Sequence, residues 1–318
     1  MRTIVKRVTF CILGLVLAIG IVQAAEVKWP TKTVTVTMPY NAGGDTDTYC
    51  RLMSKMLSEK FGETFVVVNM PGGGGLVSAK TVMATKPDGY NILFNHTSAS
   101  LMSEATGMAD FSFTDDFTNV ATVCQDNTYT LICKKGTWNT LEELIAYAKA
   151  NPGKVRYSIV YGSTHQYLGS LVEELMGIQL NSLDVGNDTS ERFAAFLGDQ
   201  VDILFVNYMN IDDYVEKGDV IPLGCTSPER IPGMEKVKTL REQGYDIVCS
   251  KNYEVKFPKG TDAAIVAKLS SALEEIAKSK EFEETLRKYY AVPFYRNAET
   301  MAKEDKAEVE RLKKYITK

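Results

Sequence analysis

The chain has 318 residues, of which 36 are basic and 40 are acidic, so its formal net charge at pH 7 is −4. A net negative chain is a poor ligand for nucleic acids and for anionic membrane surfaces, and we exclude both classes of partner. The length exceeds that of one typical domain, so we expect two lobes with separate hydrophobic cores.

Residues 1–24 have the pattern of a secretory signal peptide. Arg2, Lys6 and Arg7 precede an apolar stretch over residues 8–22, and Ala24 ends a small-residue cleavage site. The stretch is short for a membrane-spanning helix, which needs about 20 apolar residues. We therefore predict an exported, periplasmic protein that is cleaved after about Ala24, with an uncleaved N-terminal anchor as the alternative.

Two glycine-rich turns near the start each lie between a strand pattern and a helix pattern. The turn Asn41–Asp47 follows strand residues 33–38, and Pro71–Gly75 follows the apolar run 64–69. Glycine lets a backbone approach a ligand closely, and the helix that follows offers unpaired N–H groups at the positive end of its dipole. The pair predicts an anion that is bound mainly by backbone groups.

Other predicted strands also end in polar loops. Gly89–Phe94 leads into a loop that contains Thr97 and Ser98, and Val155–Ile159 leads into the turn 161–165. Open α/β sheets bind ligands at the carboxyl ends of their strands. Thr97 and Ser98 are therefore candidates for ligand contact as well as ordinary turn residues.

Strands and helices alternate along most of the chain, which indicates an α/β fold with mainly parallel sheets. The chain ends in three amphipathic helix patterns, at Ala263–Ala277, Glu281–Tyr290 and Ala298–Ile316.

We predict one domain from residues 25–124 with 252–318 and a second from residues 125–251. Strand crossings near residues 123–127 and 250–255 would join them, and two lobes joined in this way can close on a ligand like a hinge.

Five cysteines follow the predicted signal peptide: Cys50, Cys124, Cys133, Cys225 and Cys249. None has the spacing of a zinc site and the chain has only two histidines, so we expect no metal. Cys124 and Cys133 could face each other across a hairpin, and Cys225 and Cys249 each end a predicted strand. Either pair could form a disulfide in an exported protein; burial as small apolar thiols is the alternative.

Nucleophilic catalysis has little support, because the two histidines, His96 and His165, lie in no nucleophile motif. A carboxylate pair of the glycosidase type stays open, since the sequence does not show which acids converge. The run Gly73–Ser78 resembles a dinucleotide loop, but Ser78 replaces its last glycine.

Two acidic residues have both a structural and a binding interpretation. Asp47 either caps a helix that begins near Thr48, or orders the first glycine turn and meets a ligand group. Asp188 is either a turn or cap residue or a ligand contact. Arg51 is expected to anchor the first lobe through a carboxylate.

Several stretches together carry a family resemblance. Residues 39–51 read Pro-x-x-Ala-Gly-Gly-x-x-Asp-x-x-x-Arg, residues 69–75 read Asn-x-Pro-Gly-x-Gly-Gly, and residues 87–90 read Pro-Asp-Gly-Tyr. Further matches lie at Trp29-Pro30, residues 141–153 and residues 226–230. Over nearly all of the predicted mature chain, the sequence resembles the substrate-binding proteins of the tripartite tricarboxylate transporter family.

The resemblance implies an α/β, two-lobed periplasmic binding protein fold (type II-like), with a ligand cleft between two domains that two crossing strands join. Such receptors hold a small carboxylate-bearing organic anion and deliver it to membrane transporter subunits, without catalysis or a cofactor; we expect a monomer. The expected ligand-binding residues are Tyr40, Asn41, Ala42, Gly43, Gly44, Asp47, Gly73, Gly74, Gly75, Thr97, Ser98, Gly162, Ser163, Thr164 and Asp188.

Departures from the family pattern lie in the second lobe. Gln166 stands where the family usually has a histidine, with His165 one place earlier, and Asp199 replaces a glycine. Residues 188–192 replace a loop that usually contains glycine and proline. These changes leave the identity of the acid open. An exported enzyme acting on a small organic acid and a ligand sensor for a membrane kinase remain the alternatives.

Overall fold

The computed structural model describes residues 27–186 and 188–316, so the predicted signal peptide and its cleavage site lie outside the described residues. The strands, in chain order, are β1 (Val34–Met38), β2 (Phe65–Asn69), β3 (Asn91–His96), β4 (Phe117–Asp126), β5 (Tyr129–Lys134), β6 (Val155–Ile159), β7 (Leu180–Asp184), β8 (Ile203–Asn207), β9 (Val220–Cys225), β10 (Lys251–Pro258) and β11 (Val292–Asn297). The helices are α1 (Asp45–Phe61), α2 (Leu76–Met83), α3 (Thr97–Ala105), α4 (Leu141–Ala150), α5 (Thr164–Met176), α6 (Thr189–Leu197), α7 (Asp212–Lys217), α8 (Ala263–Ala277), α9 (Lys280–Arg287) and α10 (Ala298–Ile316).

The strands form two sheets with the same internal plan. The first has the order β11-β4-β10-β3-β1-β2, and the second has the order β7-β6-β8-β5-β9. Within each sheet three neighbouring strands are parallel, and the strand that enters after a crossing runs antiparallel to its neighbours: β10 in the first sheet and β5 in the second. The prediction of mainly parallel sheets is therefore wrong. Each strand that follows a crossing is antiparallel to both of its neighbours in the sheet that it joins, so both sheets are mixed.

Each sheet has its own hydrophobic core, as the length of the chain predicts. In the first lobe α1 and α8 cover the sheet, and Val36, Leu57 and Leu273 are completely buried. In the second lobe Leu168 of α5 packs in a cluster with Phe205 of β8. Burying one such side chain contributes about 2 kcal/mol to the free energy of unfolding, so apolar burial stabilises each lobe by itself.

The first crossing lies between β4 and β5. Because β4 belongs to the first sheet and β5 to the second, Cys124 and Cys133 do not face each other across a hairpin, and that prediction is wrong. The chain returns to the first lobe at Lys251, the first residue of β10. The exact division into residues 25–124 with 252–318 and residues 125–251 stays a prediction.

The five cysteines of the described chain are free thiols. Cys50, Cys124, Cys133 and Cys225 are buried, and Cys249 is half-buried. Residues 245–249 are irregular rather than a strand. The structure therefore has free thiols rather than disulfides at these five positions, and four of the five thiols are buried.

Candidate functional site

A cavity of about 450 Å³ lies between the two lobes. Most of the predicted binding residues line it: Tyr40, Asn41, Ala42, Gly43, Gly44, Asp47, Gly73, Gly74, Ser98, Gly162, Ser163, Thr164 and Asp188. Two predicted residues lie elsewhere. Gly75 is buried beside Pro39, and Thr97 lines a neighbouring cavity, where its Oγ1 accepts a hydrogen bond from the Asn252 N–H at 3.1 Å.

The first glycine turn opens directly into helix α1. Gly44 is the N-cap residue and the helix begins at Asp45, so Asp47 lies inside the first turn and is not the cap that the sequence suggested. Asp47 instead accepts a hydrogen bond from the Gly43 N–H at 3.1 Å and forms an ion pair with Arg51 at 2.9 Å. Because the first N–H groups of a helix have no partner within it, the turn leaves backbone donors at the cavity wall.

The second glycine turn depends on backbone angles that other residues rarely adopt. Gly72, Gly73, Gly74 and Gly75 all have positive φ, between 57° and 135°. Glycine alone takes such a run without steric strain, since it has no Cβ. The run lets Gly73 and Gly74 reach the cavity with no side chain in between, and it ends at the start of α2.

The second lobe presents two further helix starts to the same cavity. Ser163 is the N-cap residue of α5, and its Oγ accepts a hydrogen bond from the His165 N–H at 3.1 Å. Asp188 is the N-cap residue of α6 and forms a capping box with Glu191. The cap interpretation of Asp188 therefore holds, and its place on the cavity wall keeps the binding interpretation open.

Direct contacts join the two lobes across the cavity. Asn41 of the first lobe donates a hydrogen bond from Nδ2 to Asp188 Oδ2 of the second. The Thr164 Oγ1 donates to the carbonyl oxygen of Ser98. Such contacts require the lobes to be close together, so the structure is that of a closed cleft.

A buried polar network lies at the hinge side of the cavity. Lys251 is 4% exposed and donates from Nζ to Asp45 Oδ2 at 2.6 Å and to Asn207 Oδ1. Asn207 in turn donates from Nδ2 to Asp126 Oδ2 at 2.7 Å. Tyr253 also donates to Asp45, at 2.5 Å. The network links residues of both sheets at the points where the chain crosses.

Asp45 and Lys251 are both charged at neutral pH. Burial alone would raise the pKa of the Asp45 carboxyl, but the Lys251 ammonium outweighs it and lowers the pKa to about 2. Burial would likewise lower the pKa of Lys251, yet the Asp45 carboxylate raises it above its usual value. For His96, burial and the nearby Lys251 charge lower the pKa to about 3, so its imidazole is neutral.

Comparison with known proteins shows the family. Residues 49–318 match the model of the tripartite tricarboxylate transporter family receptor. A protein of Cupriavidus necator, described as a UPF0065 protein in the gbd 5' region, is 30% identical over 306 residues, covering 91% of this chain and 90% of that one.

The chain belongs to the tripartite tricarboxylate transporter receptor family. Among solved structures, the periplasmic binding protein BugD is similar with a TM-score of 0.82 and 26% identity, covering 91% of this chain and 98% of that one. Rpa4515 of R. palustris, solved with adipate, has the same fold with a TM-score of 0.82 and 24% identity, covering 90% and 96%. The α/β two-lobed binding protein fold predicted from the sequence is confirmed.

Receptors of this family are periplasmic solute-binding proteins rather than enzymes. Among the helices of residues 27–186 and 188–316, none combines the length and the apolar composition that a membrane span needs.

Several residues of the receptor cavity are not among the binding residues that the sequence predicts. Asp45, His96, Tyr129, His165, Asp184, Arg192, Asn210 and Lys251 all line it. For His165 and Arg192 a signal existed, because both lie in stretches that depart from the family pattern. Gln166, which aligns with the usual family histidine, instead accepts a hydrogen bond from the Gly162 N–H at 2.7 Å and is exposed.

Proposed function

We propose that this protein is an extracytoplasmic receptor that captures a small carboxylate-bearing organic anion in the cleft and delivers it to a membrane transporter of the tripartite tricarboxylate type. One observation carries the proposal: both glycine turns, Gly43-Gly44 and Gly73-Gly74, line one cavity at the starts of helices. Backbone donors at helix starts bind a carboxylate without a net positive charge, which the chain lacks.

Membership of the family supports a carboxylate as the ligand and a membrane transporter as the partner. A receptor of a tricarboxylate transporter family serves a membrane transporter, and we extend this role to the present chain. Export through the predicted signal peptide at residues 1–24 is part of the same proposal, because the ligand must meet the receptor outside the cytoplasm.

Closure of the lobes explains capture and release. The bonds from Asn41 to Asp188 and from Thr164 to Ser98 form only when the lobes meet. A ligand that contacts both lobes favours the closed state by its extra contacts there, and a transporter can recognise the closed shape.

The alternative role as an exported enzyme has little support, because the two histidines of this cleft are poor general bases. Burial lowers the pKa of His96 to about 3, and burial together with the Arg192 charge lowers that of His165 as well. A general base works best with a pKa near the working pH, so these imidazoles are weak proton acceptors.

Thermal melting of residues 25–318 against mono-, di- and tricarboxylates, amino acids and NAD tests the proposal. The protein is first unfolded and refolded to remove any ligand that co-purified with it. A ligand at about a thousand times its dissociation constant adds roughly 4 kcal/mol, which raises the melting midpoint by several degrees. We expect a selective shift with an acid that is recovered unchanged. The absence of any shift, or chemical turnover of an acid, would contradict a receptor role.

A further inference from the structure

Arg192 carries a buried positive charge for which the described residues provide no ion pair. The side chain, in the first turn of α6, is 2% exposed and lines the interlobe cavity. Among the described residues its Nε has no hydrogen-bond partner. The other two guanidinium nitrogens have long contacts of 3.4 Å, from Nη1 to the carbonyl oxygen of Phe205 and from Nη2 to Thr189 Oγ1.

The acidic residues of the cavity already have other partners or lie too far away. Asp45 is paired with Lys251, and Asp47 is paired with Arg51. Asp188, one turn before Arg192, accepts its hydrogen bond from Asn41 and caps the helix. Within the part of the chain that the structure describes, no carboxylate lies within ion-pair distance of Arg192.

The position of Arg192 is unfavourable unless something binds it. A cation in the first turn of a helix faces the positive end of the helix dipole, which opposes it. An arginine cannot escape the cost of burial by losing its proton at neutral pH, because its pKa stays far above that range. Buried charges of this kind are found in proteins where a group of opposite charge pairs with them.

A second unsatisfied group lies in the same part of the cavity. His165 Nε2 is buried and has no hydrogen-bond partner among the described residues. Its ring packs edge-on against Tyr129 at a centroid distance of 5.5 Å, and both residues line the cavity. Among the described residues, one guanidinium nitrogen and one imidazole nitrogen of the second lobe thus lack a hydrogen-bond partner beside the cavity.

We propose that Arg192 binds a second carboxylate of the ligand, so that the receptor selects dicarboxylates over monocarboxylates of the same length. The inference rests on the proposed function, in which the glycine turns of the first lobe bind the first carboxylate. The free edge of a guanidinium matches the two oxygens of a carboxylate in a two-point hydrogen-bonded pair. A diacid that bridges the lobes also draws them together, which couples recognition of its second end to closure.

Matched ligand pairs test the role of Arg192 directly. Refolded residues 25–318 are titrated calorimetrically with each straight-chain diacid from malonate to suberate, and with the monoamide of the same acid. The monoamide keeps the length and one carboxylate and loses only the second charge. We expect the preferred diacid to bind at least about thirtyfold more tightly than its monoamide.

Variants of Arg192 test whether this residue causes the preference for the diacid over its monoamide. In Arg192→Gln the preference should fall to about threefold or less, mainly through weaker binding of the diacid. Arg241→Gln is the control, because it removes the same charge from the same lobe at an exposed pair with Asp246 outside the cavity. It should leave the preference unchanged. Arg192→Lys keeps the charge but loses the two-point edge, and should retain only part of the preference.

The melting midpoint of the empty protein separates binding from a structural role. Removal of an uncompensated buried charge should leave the midpoint of Arg192→Gln unchanged or raise it. A midpoint several degrees lower, or failure to fold, would overturn the inference by showing that Arg192 supports the fold. An undiminished diacid preference in a folded Arg192→Gln would overturn it as well.

The outcomes also distinguish the two proposals. Equal binding of diacid and monoamide by the wild-type protein would overturn the role of Arg192 and leave a carboxylate receptor. Binding of no acid at all by the wild-type protein would overturn the receptor function itself, and the inference with it.

Discussion

Lys251 donates a hydrogen bond to Asp45 at 2.6 Å, which ties the first residue of the returning strand β10 to the first residue of helix α1. The pair is buried, with side-chain exposures of 5% and 7%. It therefore fixes the glycine turn before α1 relative to the second crossing between the lobes.

Lys251→Met should destabilise the protein by about 3–5 kcal/mol, because it leaves the Asp45 carboxylate buried without a partner of opposite charge. Urea unfolding of the refolded protein measures the change. Lys60→Met is the control, since its pair with Glu275 is exposed, and should cost less than about 1 kcal/mol. The double variant Lys251→Met with Asp45→Asn should recover part of the loss. Equal losses in Lys251→Met and Lys60→Met would contradict a special role for the buried pair.

Asn41→Ala should weaken ligand binding about tenfold without lowering the stability of the empty protein. The Asn41 amide donates to Asp188 only across the closed cleft, so its loss removes a bond from the closed state alone. Calorimetric titration gives the affinity, and small-angle scattering with and without ligand gives the extent of closure. Asn139→Ala, on the outer surface beside Glu143, should change neither quantity. An Asn41→Ala protein with the affinity and scattering of the wild type would show that this contact does not hold the lobes.

Glycine-to-alanine changes should separate the backbone strain of a turn from its role in binding. Gly74→Ala places a methyl group at the cavity wall with φ at +63°, and should cost about 1–2 kcal/mol of stability and also weaken binding. Gly75→Ala should cost more, since φ is +102° and the added Cβ would lie 3.3 Å from Pro39.

Gly260→Ala is the matched control for these turns. Its φ is +88° and nothing lies within 4 Å of an added Cβ, but it does not line the cavity. It should lose stability and keep full affinity, which melting and titration measure together. Loss of affinity in Gly260→Ala would mean that strain anywhere in the fold affects binding.

Local signals in the sequence predicted the parts of the site that local chemistry determines. The four glycines from Gly72 to Gly75 and the pair Gly43-Gly44 predict two turns that each precede a helix, and the structure has both turns and both helix starts. The cap at Asp188 followed from the same reasoning. Such features depend on a few neighbouring residues, so they can be read without knowledge of the fold.

Features that depend on distant contacts could not be read in this way. Asp45 and Lys251 are separated by 206 positions, and nothing near either residue reveals the other. Arginine is normally exposed, so the burial of Arg192 could not be inferred from its neighbours. The run Thr97-Ser98-Ala99-Ser100 predicts a polar loop because its helix propensity is weak, whereas the structure has helix α3 there, since packing against α10 overrides the propensity. The sequence does not indicate strand β11, because Pro293 argues against a strand; the proline is tolerated there because β11 lies on the edge of the sheet.

His96→Gln should flatten the pH dependence of stability in mildly acidic solution. Burial and the Lys251 charge lower the pKa of His96 from 6.5 to about 3 in the folded protein. Below pH 6.5 the unfolded chain therefore binds a proton that the folded protein does not, and the free energy of unfolding falls as the pH falls. Each pH unit costs about 1.4 kcal/mol, so between about pH 6.5 and pH 4.5 the wild type should lose roughly 2–3 kcal/mol more than the variant.

Urea unfolding of both proteins across this range measures the difference. The raised pKa of Asp305 has the opposite sign, since burial beside Glu254 keeps its proton bound in the folded state, but it is common to both proteins and cancels in the comparison. The His96 imidazole resonance of the folded wild type should also show no titration near pH 6. Parallel stability curves for the wild type and His96→Gln would mean that His96 takes up its proton while the protein is folded.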